Sequence, residues 1–478
     1  NPPPYTRVLR PCRPGDGIRQ ISTAEEHWLL ARFEGAARDG RIGKMVPASG
    51  AASRMFKSLL AYVNGSGGEP EGEVRTLFDN LERFPFYDAL AAVMARGGHN
   101  LRQAVDGGDY KTVLEYLLTP RGLGYEELPK GLLLFHHYPE GPRTPFEEHL
   151  VEAVEQTRSA DGRCRLHFTV SPQHEEEFRR LLAEVGPRYE ERYGVRFDVT
   201  FSYQKRSTDT LAVDPENRPF RQDDGTLLFR PGGHGALLDN LDALGRNGWD
   251  IVLIKNIDNV VPEERRPLIS QWKRLLTGQL LAVQDRVWRL LERLEEGSTN
   301  ALDEAAAFLE KELSRSLPAE LAGVSEEVRR RRLIDLLDRP LRVCGMVRNL
   351  GEPGGGPFWV ESKTGEVSIQ IVETSQLDPK SEEQQAQLAA STHFSPTDLV
   401  CALRDRHGRP YDLHAYVDPS TVFMSTKSHE GRPLKALERP GLWNGSMAGW
   451  SSVFVEVPDA TFAPVKTVTD LLRPEHQG

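Results

Sequence analysis

With 478 residues, the chain is too long for one ordinary hydrophobic core, and its length predicts roughly two to four folding units. A net charge of −10 at pH 7 excludes a non-specific nucleic-acid binder, because such proteins need clustered and uncompensated Lys and Arg. No apolar run approaches the roughly 20 residues that span a bilayer, and the four cysteines form no CxxC pair, which predicts a soluble, cytoplasmic protein without a disulfide framework, zinc site or membrane partner.

The first predicted element is a capped amphipathic helix over residues 22–40, within an N-terminal helical segment, 1–43. A short apolar strand at 44–46, a small-residue loop at 47–52 and helical spacing at 54–62 follow. This order favours a phosphate-binding loop, since backbone N–H groups converge where such a loop enters a helix. An ordinary tight turn is the alternative, because neither the Walker spacing nor the dinucleotide fingerprint is present.

Helical spacing continues through residues 77–118, which we interpret as a helical insertion over about 58–127. Beyond it, strand-like runs alternate with helical stretches, as expected for a mainly parallel sheet that is covered on both faces. The strands are predicted at 132–135, 166–170, 197–201 and 249–254, and the helices at 146–158, 174–185 and 237–245. Residues 44–265 are therefore predicted to form a nucleotide-binding α/β domain.

The remaining chain divides into a helical part and a β-rich part. Nearly every segment between residues 266 and 338 has helical spacing, which predicts an all-α insertion. Short strands are predicted after it, at residues 341–347, 358–360, 368–372, 411–416 and 453–457. Residues 339–478 are therefore predicted to form a β-rich C-terminal lobe.

Several polar or glycine-rich positions follow or precede the predicted strands. Lys130 opens the strand at 132–135, where a lysine ordinarily points to solvent. Three glycines within residues 232–235 would admit a flat ligand close to the backbone. Gln204 ends the preceding strand, where an amide can pair with both donor and acceptor edges of a pyrimidine; an ordinary loop glutamine is the alternative.

An acidic residue follows the buried strand that runs through residues 250–255. Ligands of open α/β sheets lie at such carboxyl ends, so Asp258 is predicted to bind Mg²⁺. One carboxylate suffices, because Mg²⁺ completes its octahedron with phosphate oxygens and water. Alternatively, Asp258 and Asn259 cap a turn.

Taken together and in this order, these motifs resemble the nucleotide-sugar pyrophosphorylases, in particular the uridylyltransferases that make UDP-glucose or UDP-N-acetylhexosamine. The chain is also similar to a little-characterised bacterial domain family beside them. The resemblance implies a Rossmann-like GT-A nucleotidyltransferase fold with a mainly parallel mixed sheet. It requires residues 58–127 to loop out, because they separate the two ends of the signature loop.

The resemblance also implies roles for the matching residues. The implied phosphate-binding and catalytic cations are Arg54, Lys130 and Lys466. The implied nucleotide-binding residues are Ala48, Ser49, Gly50, Ala51, Ser53, Gln204, Gly232, Gly233, His234 and Gly235. The implied sugar-binding residues are Glu373, Asn444 and Asn259, and the implied metal ligand is Asp258.

The implied reaction is attack of a sugar-1-phosphate oxygen on the α-phosphorus of UTP, with Mg²⁺ as cofactor and pyrophosphate as the leaving group. Two alternatives stay open. A GT-A glycosyltransferase would use a finished nucleotide sugar, although such enzymes usually hold the metal with an Asp-x-Asp motif that is absent around Asp258. A non-catalytic nucleotide-sugar-binding protein would not need both Lys130 and Lys466.

Overall fold

The computed structural model describes residues 4–65, 68–318, 323–349, 351, 354–363, 365–429 and 431–477. The chain divides into two units, each assembled from three segments. The first unit comprises Asn1–Lys44, Gln204–Ile254 and Trp272–Asp459, and the second comprises Met45–Tyr203, Lys255–Gln271 and Ala460–Gly478. None of the helices among the described residues is both long enough and apolar enough to cross a bilayer.

The described strands and helices alternate along much of the chain. The strands are β1 (Val8–Pro11), β2 (Arg13–Pro14), β3 (Gly17–Arg19), β4 (Ile42–Pro47), β5 (Arg163–Thr169), β6 (Arg196–Ser202), β7 (Thr210–Val213), β8 (Phe229–Arg230), β9 (Ile251–Lys255), β10 (Leu341–Arg348), β11 (Gly356–Glu361), β12 (Val367–Val372), β13 (His393–Phe394), β14 (Asp398–Ala402), β15 (Phe423–His429), β16 (Arg432–Glu438) and β17 (Ser451–Glu456). The helices are α1 (Thr23–Arg38), α2 (Lys57–Asn64), α3 (Gly72–Asp79), α4 (Tyr87–Arg96), α5 (Leu101–Asp106), α6 (Tyr110–Leu118), α7 (Pro145–Gln156), α8 (Glu175–Tyr193), α9 (Leu238–Arg246), α10 (Arg266–Glu295), α11 (Asn300–Lys311), α12 (Glu326–Leu337) and α13 (Glu382–Ala389).

The first unit is built on three sets of paired strands. Its largest set pairs in the order β2-β3-β17-β10-β14-β9, with β3, β17 and β10 mutually parallel and β14 antiparallel to β10. A three-stranded antiparallel sheet has the order β1-β11-β12, and a four-stranded antiparallel sheet has the order β15-β16-β7-β8. This unit therefore contains most of the β-rich C-terminal part.

The second unit combines a parallel layer with a helical block. β4, β5 and β6 pair in that order, and β5 is parallel to β6. Helix α7 starts with a capping box between Thr144 and Glu147 and has proline at its first position, which satisfies the free N–H groups of its first turn. Helices α2 to α6 enclose a separate hydrophobic core with fully buried side chains such as Leu77, Phe84 and Leu114.

The predicted fold class, a mainly parallel α/β fold with helical insertions and a β-rich C-terminal region, is confirmed. The predicted strand at residues 132–135 is wrong: a 3₁₀ turn forms at Lys130–Leu132, and Leu133 and Phe135 are fully buried in the helical core. The predicted strand at 411–416 is also wrong, because the Asp412 side chain accepts from the N–H of His414 and starts a 3₁₀ turn. Strands β1 to β3 precede α1 in the segment predicted to be helical.

Candidate functional site

The loop after β4 is held at the carboxyl ends of neighbouring strands. The N–H of Ala48 donates to the carbonyl of Thr169 at the end of β5, at 2.8 Å, and the hydroxyl of Ser171 donates to the carbonyl of Ser49 at 3.2 Å. Ala48 is buried, whereas Gly50, Ala51, Ser53 and Arg54 are exposed, and a 3₁₀ turn at Ala52–Arg54 leads towards α2. The predicted phosphate loop is therefore anchored at its start and open beyond it.

This loop lies beside Lys130 in the structure. The two are distant in sequence, because Met55, which directly follows the 3₁₀ turn of the loop, precedes Lys130 by 75 positions. Ala51 bridges to Pro129, the N–H of Ala52 donates to the carbonyl of Leu128 at 3.1 Å, and the N–H of Lys130 donates to the carbonyl of Gly50 at 3.4 Å. Helices α2 to α6 lie between the two segments in sequence. They loop out as one block, so the two segments meet.

Lys130, Lys466 and Asp258 form one charged cluster. The Lys130 ammonium donates to Asp258 Oδ2 at 2.9 Å and to the carbonyl of Val465 at 2.6 Å, and the Lys466 ammonium donates to the same Asp258 oxygen at 3.3 Å. The side chains of Lys130 and Asp258 are 12% and 11% exposed, whereas that of Lys466 is 53% exposed. One carboxylate oxygen therefore joins two ammonium groups, of which one is fixed and the other is accessible.

Backbone hydrogen bonds bring the C-terminal segment to this carboxylate. The N–H of Val465 donates to the carbonyl of Asp258 at 3.0 Å, and Asn259 Oδ1 accepts from the N–H of Ala463 at 3.0 Å. Asp470 Oδ2 accepts the N–H groups of Lys466 and Thr467, so Lys466 starts from an ordered turn. Asn259 is 1% exposed. Its oxygen holds the C-terminal segment, and its predicted contact with sugar stays a prediction.

The cluster has a surplus of positive charge. Burial lowers the pKa of Lys130, Asp258 opposes this shift, and the charges of Lys466 and Arg54 add to it. Burial alone would raise the pKa of Asp258, but the two ammonium groups outweigh it and hold that pKa below its usual range. Asp258 thus contacts two ammonium groups, and Arg54 adds positive charge beside Lys130, a balance that attracts an anion.

The cluster provides one ligand suited to Mg²⁺. Carboxylate oxygen is a hard donor of the kind that Mg²⁺ prefers, and Asp258 is the predicted ligand. Across the described residues, no group of three His, Cys, Asp or Glu side chains is arranged to hold a metal ion. The residues therefore fit Mg²⁺ only if phosphate oxygens and water complete its coordination.

In the first unit, the glycines of the 232–235 turn are explained by close packing. A Cβ at Gly232 would lie 2.7 Å from the carbonyl oxygen of Thr208, and one at Gly235 would lie 2.2 Å from that of Pro440. Gly233 has a φ of +73°, which side chains rarely adopt. Packing within the unit is therefore sufficient to require glycine here, and their predicted place beneath a base stays a prediction.

The predicted base-binding side chains have different surroundings. His234 accepts the N–H of Leu442 on Nδ1 at 3.0 Å and stacks on Trp443 with ring centroids 4.0 Å apart. Burial lowers the pKa of His234 to about 4, so its ring is neutral at physiological pH. Gln204 is half-buried just beyond β6, and in the described part of the chain its side chain makes no hydrogen bond.

Glu373 and Asn444 lie together in the first unit. Asn444 is 3% exposed, and its Nδ2 donates to the carbonyl of Ile371 at 3.2 Å and to Gln376 Oε1 at 3.4 Å. Burial raises the pKa of Glu373, a shift that a hydrogen bond from Asn444 opposes. Asn444 Oδ1 is buried without a hydrogen-bond partner among the described residues. Such an orphaned acceptor suits a ligand hydroxyl.

Sequence reasoning missed three groups that position these side chains. The carbonyl of Val465 and the carboxylate of Asp470 hold the two lysines, and nothing in their local sequence distinguishes them. Gln376 was recognisable, because a Glu followed three residues later by Gln is the spacing of a capping box, which Glu373 and Gln376 form.

The family model described as "Domain of unknown function (DUF4301)" matches residues 1–477, so the chain belongs to that family. No curated protein matches this chain. Its structure is similar to that of the UDP-N-acetylglucosamine pyrophosphorylase of Trypanosoma brucei, with a TM-score of 0.50 at 13% identity over 97% of this chain and 72% of that one. A UDP-glucose pyrophosphorylase variant of Leishmania major gives 0.38 at 16% identity over 72% of this chain and 61% of that one, less than two thirds of its length. The likeness to the trypanosomal protein shows a shared fold.

Proposed function

We propose that this member of the DUF4301 family is a nucleotidyltransferase that makes a nucleotide sugar from UTP and a sugar-1-phosphate and releases pyrophosphate. The observation that carries the proposal is the meeting of Lys130, Lys466 and Asp258, from three distant segments, beside the loop that bears Arg54. The fold shared with a UDP-N-acetylglucosamine pyrophosphorylase supports the same proposal.

In the proposed reaction, an oxygen of the sugar-1-phosphate attacks the α-phosphorus of UTP. The new bond forms as the bond between the α-phosphorus and the bridging oxygen breaks, and pyrophosphate leaves with that electron pair. No general base is required, because the second pKa of a phosphate monoester is about 6 and the attacking oxygen is already anionic at pH 7. The protein therefore contributes positioning and charge neutralisation.

Each member of the second-unit cluster has a separate task in this proposal. The N–H groups of the loop at residues 48–53 other than those of Ala48 and Ala52, which already donate to backbone carbonyls, bind the triphosphate together with the exposed Arg54 guanidinium. Lys130, held by the carbonyl of Val465, presents a fixed ammonium, and the accessible Lys466 binds the acceptor phosphate. Asp258 is the residue that would hold Mg²⁺, whose chemistry when bound is to neutralise charge on phosphate oxygens.

In the first unit, we assign the sugar and base contacts to side chains with unused hydrogen-bonding capacity. The orphaned oxygen of Asn444 and the carboxyl group of Glu373 would bind sugar hydroxyls. Asn259, which belongs to the second unit, would approach the sugar only through its amide nitrogen, because its oxygen is engaged. Gln204 would pair with uracil, and the turn at residues 232–235 would support the base, which is the basis for preferring UTP.

The test is pyrophosphate release from four nucleoside triphosphates, each paired with a panel of sugar-1-phosphates, in Mg²⁺ and in EDTA. Wild type is compared with Lys130→Met and with Lys111→Met, which alters an exposed lysine on α6 of the same unit. We expect Mg²⁺-dependent release with one pair, and a loss of about 10²–10³-fold in Lys130→Met alone, as for removal of one group that stabilises transition-state charge. Silence across the panel in a folded protein that binds UDP-sugar would favour the glycosyltransferase or the non-catalytic alternative. Equal rates in both variants would remove Lys130 from the site.

A further inference from the structure

The first unit contains a partly open cavity of about 840 Å³, and the proposed reaction uses one residue of its wall, Asn444. Its walls come from residues 4–7, from β11 and β12, and from the segments 415–421 and 444–449. Ser368, Gln370 and Val372, alternate residues of β12, line it. Glu373 is not among the described residues that line it, although Asn444 contributes to its wall. The cavity is therefore continuous with one proposed sugar contact, but most of its lining is separate.

Two arginines line this cavity, and neither has a carboxylate at hydrogen-bond distance among the described residues. The Arg315 side chain is 7% exposed, and its Nη2 donates to the carbonyl of Trp450 at 3.1 Å. Arg339 Nη1 donates to the carbonyl of Gly449 at 3.2 Å, and its Nε donates to the carbonyl of Asp335 at 2.9 Å. Both guanidinium groups are thus held by neutral backbone oxygens.

A carboxylate close to Arg315 is already shared. Glu366 Oε2 lies 3.9 Å from Arg315 Nη1, beyond hydrogen-bond distance, while Glu366 Oε1 accepts a hydrogen bond from Arg332 at 3.0 Å. Burial, together with the charges of Arg339 and Arg332, lowers the pKa of Arg315 to about 10, although the charge of Glu366 opposes this shift. Three guanidinium groups at this end of the cavity, those of Arg315, Arg332 and Arg339, therefore share the carboxylates of Glu366 and Asp335, and a buried charge that is incompletely paired is costly.

A purely structural role would lock the arginines to the 449–450 backbone and would not require a cavity beside them. The observed space is in the range of about 300–1,000 Å³ that holds small-molecule ligands, and it exceeds what an inorganic anion needs. The planar guanidinium matches phosphate and carboxylate equally well. The anionic group would sit at the arginines, and the remainder of the ligand would occupy the polar cavity.

We propose that this cavity binds a small organic anion through a terminal phosphate or carboxylate held by Arg315 and Arg339. This site is distinct from the cluster of Lys130, Lys466 and Asp258. The cavity shares Asn444 with the proposed sugar contacts, but the anionic group is held by Arg315 and Arg339, so either proposal can fail alone.

The test is calorimetric titration of the full chain with glycerol 3-phosphate and with malonate, which distinguish the two sources of the anionic group. Titrations use the Lys130→Met background, so that phosphate binding at the second-unit cluster is weakened. Arg339→Gln is compared with Arg331→Gln, a matched change on the same chain segment whose side chain is 77% exposed. Arg339 is chosen because it is less buried than Arg315 and its loss is easier for the fold to tolerate.

We expect one equivalent of at least one probe to bind, with affinity lowered by about tenfold or more in Arg339→Gln and unchanged in Arg331→Gln, as for loss of a charged hydrogen bond. Ser368→Tyr, which fills the cavity without removing an arginine, should abolish the same binding. The proposal is overturned if neither probe binds the folded protein, or if Arg339→Gln and Ser368→Tyr both bind as tightly as Arg331→Gln.

Discussion

Asp258 is assigned two tasks: it neutralises part of the charge of Lys130 and Lys466, and it would hold Mg²⁺. Asp258→Asn would separate them, because the change preserves the shape of the side chain and removes its charge. In the structure, Asp258 neutralises part of the charge of ammonium groups at 2.9 and 3.3 Å. Unit charges about 4 Å apart interact by about 4 kcal/mol at an effective dielectric constant of 20. Solvent and relaxation of the surrounding groups offset much of this interaction energy. We therefore expect Asp258→Asn to bind anions more tightly than wild type by about 1.4–2.8 kcal/mol, or about tenfold to a hundredfold in affinity.

The same change should destabilise the ligand-free protein. Removing one partner of a buried pair costs about 3–5 kcal/mol, and the 12% exposure of Lys130 and its second acceptor, the carbonyl of Val465, favour the lower end. Pyrophosphate should reverse most of the decrease in the melting temperature of Asp258→Asn, because it supplies the missing negative charge. Mg²⁺-dependent turnover should nevertheless be lost.

The assay is calorimetric titration with pyrophosphate in EDTA, with melting curves recorded with and without pyrophosphate. Asp161→Asn is the matched control, because the Asp161 side chain is 60% exposed and pairs locally with Arg163. It should leave both readouts unchanged. Weaker or unaltered Mg²⁺-free pyrophosphate binding by folded Asp258→Asn would refute the account of the cluster as an anion site restrained by its own carboxylate.

Two further predictions concern packing and pH. Gly235→Ala should lower the melting temperature, since its Cβ would lie 2.2 Å from the carbonyl oxygen of Pro440, whereas Gly50→Ala, with nothing within 4 Å, should leave stability unchanged and reduce triphosphate affinity; equal melting temperatures would contradict the packing argument. Burial lowers the pKa of His167 from 6.5 to about 4. As pH falls, the unfolded chain therefore binds a proton at this group before the folded protein does. The free energy of unfolding is unaffected by this group above pH 6.5 and decreases as pH falls towards 4. Between pH 7 and 5 this group alone should cost about 2 kcal/mol of unfolding free energy, and denaturant titrations of His167→Gln should show a correspondingly smaller loss.

Local chemistry explains which elements could be predicted. The start of α1 could be predicted because Ser22 and Glu25 form a capping box within four residues. The structure of residues 132–135 could not be predicted, because an apolar run indicates burial but does not specify a hydrogen-bonded partner strand. Here the buried run lines the helical core instead of joining a sheet.

The candidate site divides in the same way. Lys130, Asp258 and Lys466 could be proposed from the order of short motifs, and the fold brings them to one carboxylate oxygen. The tight packing of Gly235 on the backbone of Pro440 depends on a contact between residues more than 200 positions apart. Sequence alone offered only a ligand as the reason for that glycine, because nothing local to it identifies the distant backbone.

The central claim is that a sugar-1-phosphate oxygen attacks the α-phosphorus of a nucleoside triphosphate at the cluster containing Lys130 and Asp258. Its most direct test is the fate of ¹⁸O placed in the phosphate group of the sugar-1-phosphate, followed by mass spectrometry of the products. The account predicts that the label is retained in the nucleotide sugar and that the released pyrophosphate is unlabelled. Label in pyrophosphate, or release of orthophosphate in place of pyrophosphate, would contradict it.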